Sequence, residues 1–279
     1  MNVIITGGTG YLGSRLVRRF LDIGHHILCL TIPDDPCINL ADIREKINFV
    51  CTKDPFMMEN ICAYRPDVVV HTATVYERGN ATIDQVFEAN LEFPFHVLCA
   101  AMQGKAKRWI NTATSLPDGI NSYSLSKAQF GEWGRLLAHR GGLEFVNLKL
   151  EHFYGENGPD THFLTQVTRK LKANEPLDLT VGTQHRDFVY IGDIVDCFAH
   201  MLTAPVDGFM EVHIGTGVSP SIREVVEYLK YLSGSVSELR FGAVPLRENE
   251  PDCVCDTAEM KSLGMECKYS WREGMKKLI

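Results

Sequence analysis

Short apolar runs alternate with segments of helical periodicity along the first 150 residues of the chain. The runs are rich in β-branched residues, which is typical of strands that are buried on both faces of a parallel sheet. They comprise Val3 to Thr6, His26 to Leu30, Ile47 to Cys51, Pro66 to Ala73, Arg108 to Ser115 and Phe145 to Leu150. This alternation predicts an α/β fold with a doubly wound parallel sheet.

The later part of the chain does not continue the alternation cleanly. We therefore predict a main domain formed by residues 1–155 and about 184–215, and a small C-terminal lobe formed by residues 156–183 and 216–279. Doubly wound folds bind ligands at the carboxyl ends of their strands. The lobe is expected to cover that edge and to bind the substrate.

Three glycines, Gly7, Gly10 and Gly13, follow the first strand in the spacing Gly-x-x-Gly-x-x-Gly. In a Rossmann-type fold such a strand turns tightly into a helix whose free amide groups and dipole hold a pyrophosphate. Gly7 permits the turn, Gly10 lets the backbone approach the phosphates, and Gly13 lets the helix pack closely. An ordinary glycine-rich turn is the alternative, but the position directly after an N-terminal apolar strand favours a dinucleotide site.

The end of the second strand is where dinucleotide folds carry an acidic residue that binds the adenosine ribose. Thr31 occupies this place and is followed by Ile32, Pro33, Asp34 and Asp35. Without a carboxylate there, nothing repels a 2′-phosphate, yet no arginine stands beside it to bind one. The sequence leaves NAD(H) and NADP(H) open, with a slight preference for NADP(H).

A Tyr-x-x-x-Lys pair, Tyr123 and Lys127, opens a helix that is predicted to run to about His139. The spacing puts both side chains on one helical face, where the cation favours the phenolate and suits the tyrosine to proton transfer. A hydroxyl at the end of the preceding strand, Thr112 or Thr114, can polarise a substrate carbonyl. A chance pair on a solvated face is the alternative, which the glycine site and these hydroxyls disfavour.

Three further polar residues have two interpretations each. Asn90 lies within a predicted helix over about 82–103, where an asparagine is usually exposed unless it braces the neighbouring strand. His152 follows a strand and either faces the cofactor or fills the strand end. Arg186 offers a fork of donors for a diphosphate, or pairs with Asp187.

Composition excludes several classes of function. The net charge is −7 and no run of Lys/Arg occurs, so a general nucleic-acid surface is not expected. The nine cysteines contain no Cys-x-x-Cys pair, which favours reduced thiols in a cytoplasmic protein and no metal site. The N-terminus enters the first strand at once and no apolar run has membrane-spanning length, so we expect neither a signal peptide nor a membrane partner.

Taken together, these motifs resemble the extended short-chain dehydrogenase/reductase family, and within it the NAD(P)-dependent sugar-nucleotide epimerase/dehydratase group. The resemblance extends over almost the whole chain. Its positions are the three glycines, His71-Thr72-Ala73, Asn90, the Tyr-x-x-x-Lys pair, Leu150 to Gly155 in place of the group's Arg-x-x-Asn-x-Tyr-Gly, Arg186 to Tyr190, and Arg247 through Asp252.

The resemblance implies a role for each matched residue. Tyr123 is the acid/base, Lys127 holds the nicotinamide ribose, and Thr114 is the catalytic hydroxyl, although a shift of two residues would choose Thr112. The implied cofactor-binding residues are Gly7, Gly10, Tyr11, Leu12, Gly13, Thr31, Thr72, Ala73, Asn90, Tyr123 and Lys127. The implied substrate-binding residues are Arg186, Arg247 and His152.

Departures from the group's pattern narrow the reaction. The group's dehydratases follow the catalytic threonine with an Asp-Glu pair, whereas Ser115-Leu116 follows Thr114 here. The loop from Thr114 to Tyr123 is shorter than in typical 4-epimerases, and the chain resembles CDP-paratose synthase-type 4-ketoreductases. We predict NAD(P)H-dependent reduction of the 4-keto group of a nucleotide-activated deoxysugar for surface polysaccharide synthesis.

Two rival functions remain open. An NAD-dependent nucleotide-sugar epimerase would use the same residues without net redox change. A non-catalytic NAD(P)-sensing protein would not need Tyr123 and Lys127 together. The family also implies a homodimer, formed by the helices that begin near Thr82 and Tyr123.

Overall fold

The computed structural model describes residues 1–76, 81–246 and 251–279. The strands are β1 Asn2–Thr6, β2 His26–Thr31, β3 Asn48–Cys51, β4 Val68–His71, β5 Arg108–Thr114, β6 Glu144–Leu150, β7 His152–Tyr154, β8 Leu177–Leu179, β9 Phe188–Tyr190, β10 Phe209–Ile214 and β11 Leu239–Phe241. The α-helices are α1 Tyr11–Asp22, α2 Met57–Tyr64, α3 Ile83–Phe87, α4 Phe93–Gln103, α5 Ser122–His139, α6 Phe163–Lys172, α7 Ile191–Met201, α8 Ile222–Ser233, α9 Ala258–Ser262 and α10 Trp271–Met275. A π-helical segment covers Glu88–Glu92, and 3-10 segments cover Ile38–Lys46 and Lys276–Leu278.

Seven strands form the main sheet, in the order β10-β6-β5-β4-β1-β2-β3. β1 pairs in parallel with both β2 and β4, so that Thr6 is in register with Leu30 on one side and His71 on the other. The strand order reverses between β1 and β4, and doubly wound sheets bind ligands at this switch point. The predicted α/β fold is confirmed.

An aromatic cluster fills the space between the sheet and α5. Trp109 of β5, Phe145 of β6 and Phe130 of α5 are fully buried. The Phe130 ring lies edge-on to both of the others, with centroids 5.7 Å from Trp109 and 5.9 Å from Phe145. Gly134 of α5 leaves room for this packing, because a Cβ there would lie 2.3 Å from the Phe145 ring. Such rings contribute strongly to a core, and they fix α5 against the sheet.

The chain divides into two compact units. Unit 1 comprises residues 1–149 and 198–212, and unit 2 comprises residues 150–197 and 213–279. The predicted domains placed residues 150–155, 184–197 and 213–215 with the main domain, whereas the structure groups them with unit 2. β7 and β9, which lie in the first two of these segments, pair with each other in a separate two-stranded sheet and do not join the main sheet.

Unit 2 has its own small core. A second two-stranded sheet pairs β8 with β11, and apolar residues of α6, α8 and α10 pack together. Ser221 and Glu224 form a capping box at the start of α8, as their spacing indicates: the Glu224 amide donates to the Ser221 hydroxyl and the Ser221 amide donates to the Glu224 carboxylate.

The helix predicted over about 82–103 is interrupted. α3 leads into the π-helical segment, which leads into α4. Pro94 explains the interruption, because proline has no amide hydrogen to donate to the carbonyl of Asn90 four residues earlier. The wider turn presents the Asn90 side chain to the interior, where it is fully buried.

All nine cysteines are free thiols. Within the described ranges, no group of His, Cys, Asp and Glu side chains is arranged to hold a metal ion. Nor does any helix in those ranges combine the length and apolar character needed to cross a membrane.

Candidate active site

The backbone between β1 and α1 is packed so tightly that a side chain is excluded at Gly7 and at Gly13. Gly7 has a φ of +67°, and a Cβ on it would lie 2.7 Å from the Ala73 amide nitrogen. A Cβ on Gly13 would lie 2.1 Å from the Gly7 carbonyl oxygen. Gly10 is the N-cap of α1, and its amide donates to the Gly7 carbonyl at 3.0 Å. The turn and the close helix packing therefore require glycine, as the sequence predicted.

The N-terminus of α1 is suited to an anion. The first amide groups of an α-helix have no acceptor within the helix, and the helix dipole adds a partial positive charge. No acidic residue lies in the first turn of α1, so no side chain of that turn neutralises this charge. Tyr11, Leu12 and Gly13 supply the amides of this turn. These features fit the pyrophosphate of a dinucleotide.

A carboxylate lies beside the glycine loop, where the sequence reasoning found none. Asp35 accepts a hydrogen bond from the Thr9 hydroxyl at 2.6 Å and one from the Cys37 amide at 2.8 Å. Thr31, at the end of β2, is half-buried, and its carbonyl accepts a bond from the Thr52 amide. The sequence signal for this carboxylate was the pair of aspartates that follows β2. Asp35 lies four residues after Thr31, the position where an acidic residue was expected.

The residues after β4 are bound directly to β1. The Thr72 hydroxyl donates to the Thr6 carbonyl at 2.8 Å, and the Ala73 amide donates to the Thr6 hydroxyl at 3.3 Å. His71 Nδ1 lies 2.7 Å from the same hydroxyl. Burial, with a further contribution from the charge of Lys127, holds the pKa of His71 well below its usual value. A neutral His71 and Thr6 thus fix Thr72 and Ala73 next to Gly7.

Asn90 braces this loop from the other side. Its amide oxygen accepts from the Thr74 hydroxyl and the Val75 amide, at 3.0 and 2.8 Å. Its amide nitrogen donates to the Val75 carbonyl and to the Ser126 hydroxyl of α5, at 2.8 and 3.1 Å. The structure therefore supports the bracing alternative for Asn90, while its predicted contact with a cofactor stays a prediction.

Tyr123 and Lys127 lie in the first turns of α5. Asn121 is the N-cap and forms a capping box with Ser124, which fixes where the helix begins. Lys127 is only 2 % exposed, and no described residue accepts a hydrogen bond from its ammonium group. Burial lowers the pKa of Lys127 to about 7. Burying an ammonium group without a partner destabilises the folded protein. We therefore infer that this group serves to bind a ligand or to exchange a proton.

The two candidate hydroxyls at the end of β5, those of Thr112 and Thr114, have different surroundings. Thr114 and Lys127 line the same cavity of unit 1. Among the described residues, the Thr114 hydroxyl accepts one hydrogen bond, from the Leu116 amide at 3.2 Å. The Thr112 hydroxyl is completely enclosed. Of the two hydroxyls, Thr114 therefore lies at a cavity wall and Thr112 does not. The catalytic role of Thr114 stays a prediction.

Tyr76 is a neighbour of Tyr123 that the sequence reasoning missed. The two rings lie 4.5 Å apart between centroids, at an interplanar angle of 31°. Tyr76 follows the loop that Asn90 braces, and its side chain is 39 % exposed. No spacing rule links the two tyrosines, because only the packing of the β4 loop on α5 brings them together.

In unit 2, Arg186 is enclosed rather than extended toward solvent. It is 5 % exposed, and its Nη1 donates to the carbonyls of His185 and Pro251. Asp187 accepts bonds from the Thr216 amide and hydroxyl, the Gly217 amide and the Cys255 amide. Arg186 thus anchors the segment that begins at residue 251, and its binding of a diphosphate stays a prediction.

His152 and Arg247 complete the predicted substrate residues. His152 is the first residue of β7, and its side chain is exposed, with its ring 6.1 Å from that of Phe188. Both alternatives for His152, a position facing the cofactor and one filling the strand end, stay predictions. Arg247 lies outside the described residues.

Comparison with known proteins supports the same interpretation over the whole chain. The model of the NAD dependent epimerase/dehydratase family matches residues 3–215. CDP-abequose synthase from Salmonella muenchen is 30 % identical, over 99 % of this chain and 96 % of its own length. A putative UDP-glucose 4-epimerase from Methanocaldococcus jannaschii is 24 % identical, over 99 % of this chain and 97 % of its own length.

A solved structure shows the same fold. UDP-glucose 4-epimerase from Thermotoga maritima, determined with UDP-glucose, superposes with a TM-score of 0.86 at 20 % identity and covers 100 % of this chain and 97 % of that one. The chain belongs to the NAD dependent epimerase/dehydratase family and is an NAD(P)-dependent sugar-nucleotide enzyme.

Proposed function

We propose that the protein reduces the 4-keto group of a nucleotide-activated deoxysugar with NAD(P)H, in surface polysaccharide (lipopolysaccharide) synthesis in the cytoplasm. The observation that carries the proposal is the arrangement around α5: Thr114 at the wall of a cavity, and a buried Lys127, without a hydrogen-bond partner among the described residues, one helical turn after Tyr123. The residues after Thr114 are Ser115 and Leu116, so the acid pair of a dehydratase is missing. The 30 % identity with a CDP-abequose synthase supports a CDP-linked sugar.

Three residues of unit 1 have separate roles in the proposed reduction. A nicotinamide cofactor bound at the glycine loop supplies the hydride. Thr114 hydrogen-bonds to the ketone oxygen, and Tyr123 donates its proton to that oxygen as negative charge develops there. Lys127 stabilises the phenolate that remains and donates to the ribose of the cofactor, which gives its unpaired ammonium a partner.

Unit 2 is proposed to hold the nucleotide sugar. Arg186 and Arg247 would bind the diphosphate and His152 the sugar, as the family resemblance implies. The exposed side chain of His152 agrees with this role. The bond from Arg186 Nη1 to the Pro251 carbonyl holds its guanidinium in a fixed position, and a planar guanidinium is suited to a bidentate contact with a diphosphate.

The choice between NADP(H) and NAD(H) is argued from Asp35. The slight preference for NADP(H) depended on the lack of a carboxylate at Thr31. The Asp35 carboxylate beside Thr9 weakens that preference, because a carboxylate binds ribose hydroxyls and repels a 2′-phosphate. The ratio of kcat/KM for NADPH and NADH measures the outcome directly.

The proposed reaction is tested with purified protein and a CDP-linked 4-keto-6-deoxysugar. We expect stoichiometric loss of NADPH or NADH absorbance and the formation of a 4-hydroxy sugar. UDP- and dTDP-linked 4-keto sugars serve as matched substrates that report on the nucleobase. Failure to oxidise either cofactor with any of these ketones would refute the proposal.

An epimerase is the second candidate. Several solved neighbours are 4-epimerases with NAD, including one from Thermus thermophilus at a TM-score of 0.85 and 22 % identity. An epimerase retains its NAD through purification and interconverts sugars without net cofactor consumption. Release of a nicotinamide nucleotide from the purified, denatured protein, together with no turnover of added NAD(P)H, would favour this candidate. A non-catalytic sensing role would leave cellular function unchanged in a Tyr123→Phe variant.

We also propose a homodimer formed by α3 and α5. Both helices carry apolar side chains that are exposed in the single chain, namely Ile83, Phe87, Leu125, Trp133 and Leu136. Apolar groups of this size on neighbouring helices are typical of an interface.

The dimer is tested with a Trp133→Glu variant. We expect its mass in solution to fall from that of a dimer to that of a monomer, because a carboxylate cannot be buried unpaired at an interface. Tyr231→Glu, which replaces an exposed aromatic residue of unit 2, is the matched control and should leave the dimer intact. A monomeric wild-type protein, or a dimeric Trp133→Glu variant, would contradict the proposed interface.

A further inference from the structure

Tyr76 packs on the ring of Tyr123. The two centroids are 4.5 Å apart and the ring planes meet at 31°, which lies within the geometry of favourable aromatic pairs. Tyr123 is 9 % exposed, whereas Tyr76 is 39 % exposed. Tyr76 therefore lies at the surface of unit 1 and covers part of the ring to which the proton transfer is assigned.

The beginning of a helix leaves a tyrosine side chain poorly supported. A long side chain of an α-helix leans toward the N-terminus and lies on the turn before its own. Tyr123 is the second residue of α5, so no preceding turn of that helix lies beneath its ring. The β4 loop, residues 72–76, supplies a surface at this place through the ring of Tyr76.

Asn90 fixes the part of the β4 loop that precedes Tyr76. Its amide oxygen accepts hydrogen bonds from the Thr74 hydroxyl and the Val75 amide, and its amide nitrogen donates to the Val75 carbonyl. Asn90 is fully buried, so these bonds are protected from competition by water. The backbone that carries Tyr76 is thus held at the residue next to it.

The same asparagine is linked to the turn of α5 that carries Tyr123. Asn90 Nδ2 donates to the Ser126 hydroxyl at 3.1 Å, and that hydroxyl donates to the Tyr123 carbonyl at 2.8 Å. Ser126 is buried as well. One buried network therefore holds the backbones at Tyr76 and Tyr123 in a fixed relation, so that the two rings meet in one arrangement.

We propose that Tyr76 is a positioning residue, whose ring holds the Tyr123 hydroxyl where it donates its proton to the ketone oxygen. This inference rests on the proposed reductase function. A general acid acts within about 2.6–3.2 Å of the atom that it protonates, and a displacement of about 1 Å can lower the rate roughly 10²-fold. Tyr76 acts through Tyr123 and not by contact with the substrate, and its own hydroxyl takes no part in the proton transfer.

The test compares Tyr76→Ala and Tyr76→Phe with wild type in the reductase assay. Without the ring, we expect kcat to fall roughly tenfold, while the KM values of the ketone and the cofactor stay within about twofold of wild type. Tyr76→Phe keeps the ring and should retain nearly all of kcat. Because Tyr76 is partly exposed, its truncation should change the melting temperature little.

A double-mutant cycle separates positioning from a general loss of structure. In a Tyr123→Phe background the hydroxyl to be positioned is absent, so Tyr76→Ala should change the residual kcat by less than about twofold. Losses that multiply in the double variant would show that Tyr76 acts independently of the Tyr123 hydroxyl. That result overturns the proposal.

Tyr228→Ala is the matched control. Tyr228 also belongs to an aromatic pair, with its ring centroid 5.4 Å from that of Trp271, but both residues lie in unit 2. Its truncation should lower the melting temperature and leave kcat unchanged, because this pair has no contact with Tyr123 among the described rings.

Three results of the single variants would contradict the positioning role of Tyr76. They are a wild-type kcat in Tyr76→Ala, a loss in Tyr76→Phe as large as that in Tyr76→Ala, and a rise in the KM of the ketone with kcat unchanged. The last result would assign Tyr76 to substrate binding. Failure of the reductase function appears in the wild-type protein, as no NAD(P)H consumption, and would overturn the role of Tyr76 as well.

Discussion

Replacing Tyr123 with phenylalanine is expected to lower kcat/KM by about 10² to 10⁴-fold, the usual contribution of a positioned general acid. The loss should appear in kcat, because the hydroxyl acts when charge develops on the ketone oxygen and not when the substrate binds. The ring is retained, so its contact with Tyr76 at 4.5 Å between centroids persists. Cofactor affinity, measured by nicotinamide fluorescence, and the melting temperature should stay near the wild-type values.

Tyr64→Phe is the control for this prediction. Tyr64 carries an enclosed hydroxyl, for which no partner is found among the described residues, and it lies in α2, far from α5 in the sequence. Its removal should leave kcat unchanged. A Tyr123→Phe variant within tenfold of wild-type kcat would show that another group supplies the proton.

Replacing Lys127 with methionine is expected to abolish measurable turnover and, at the same time, to raise the stability of the cofactor-free protein. Lys127 is buried without a partner for its ammonium among the described residues. Methionine fills a similar volume with no charge to desolvate. The gain should be on the order of a few kcal/mol at neutral pH, which corresponds to a rise of several degrees in melting temperature.

The stability gain of the Lys127→Met variant should depend on pH with a definite sign. Burial lowers the pKa of Lys127 from 10.5 to about 7, so between these values the unfolded wild-type chain binds more protons than the folded one. Wild-type stability therefore rises with pH across this window. The advantage of the variant should be largest at or below pH 7 and should vanish as the pH approaches 10.5.

Denaturant unfolding of both cofactor-free proteins at several pH values measures this dependence. Lys107→Met, at an exposed lysine of the same unit, should show no comparable gain at any pH. An advantage that is independent of pH, or that grows toward alkaline pH, would mean that the ammonium of Lys127 is not the destabilising group.

The sequence predicted the fold and the centre of the site because local rules determine both. Gly7 and Gly13 are required by close backbone contacts within a single strand-turn-helix unit. Tyr123 and Lys127 share a helix face through their spacing alone. Such signals depend on residues close together in the chain, and they can be read without knowing the tertiary packing.

Contacts between distant segments were beyond the reach of the sequence. Asp35 lies in the turn that follows β2 and accepts a hydrogen bond from the Thr9 hydroxyl. The sequence rule places the ribose-binding acidic residue at the end of the strand, so it does not identify Asp35. Asn111, Asn147 and Glu211 lie on three strands that are neighbours only in the sheet. The sequence around each residue gives no sign that hydrogen bonds connect the three side chains.

Arg186 shows the limit of carrying a motif from a family onto a chain. The motif indicates a diphosphate clamp, and the structure shows a guanidinium that also fixes the carbonyl of Pro251. The two roles are compatible, since guanidinium has five donors in a planar fork. Only the packing of the last segment of the chain reveals the structural role.

Isotope transfer tests the proposed reaction most directly. NAD(P)H that carries deuterium at its transferable position is mixed with the protein and a CDP-linked 4-keto-6-deoxysugar, and the sugar is analysed by mass spectrometry and NMR. Hydride transfer to the ketone predicts one deuterium at carbon 4 of the product for each cofactor oxidised. Deuterium that remains on the cofactor while the sugar is unchanged, or is only inverted at one carbon, would contradict it.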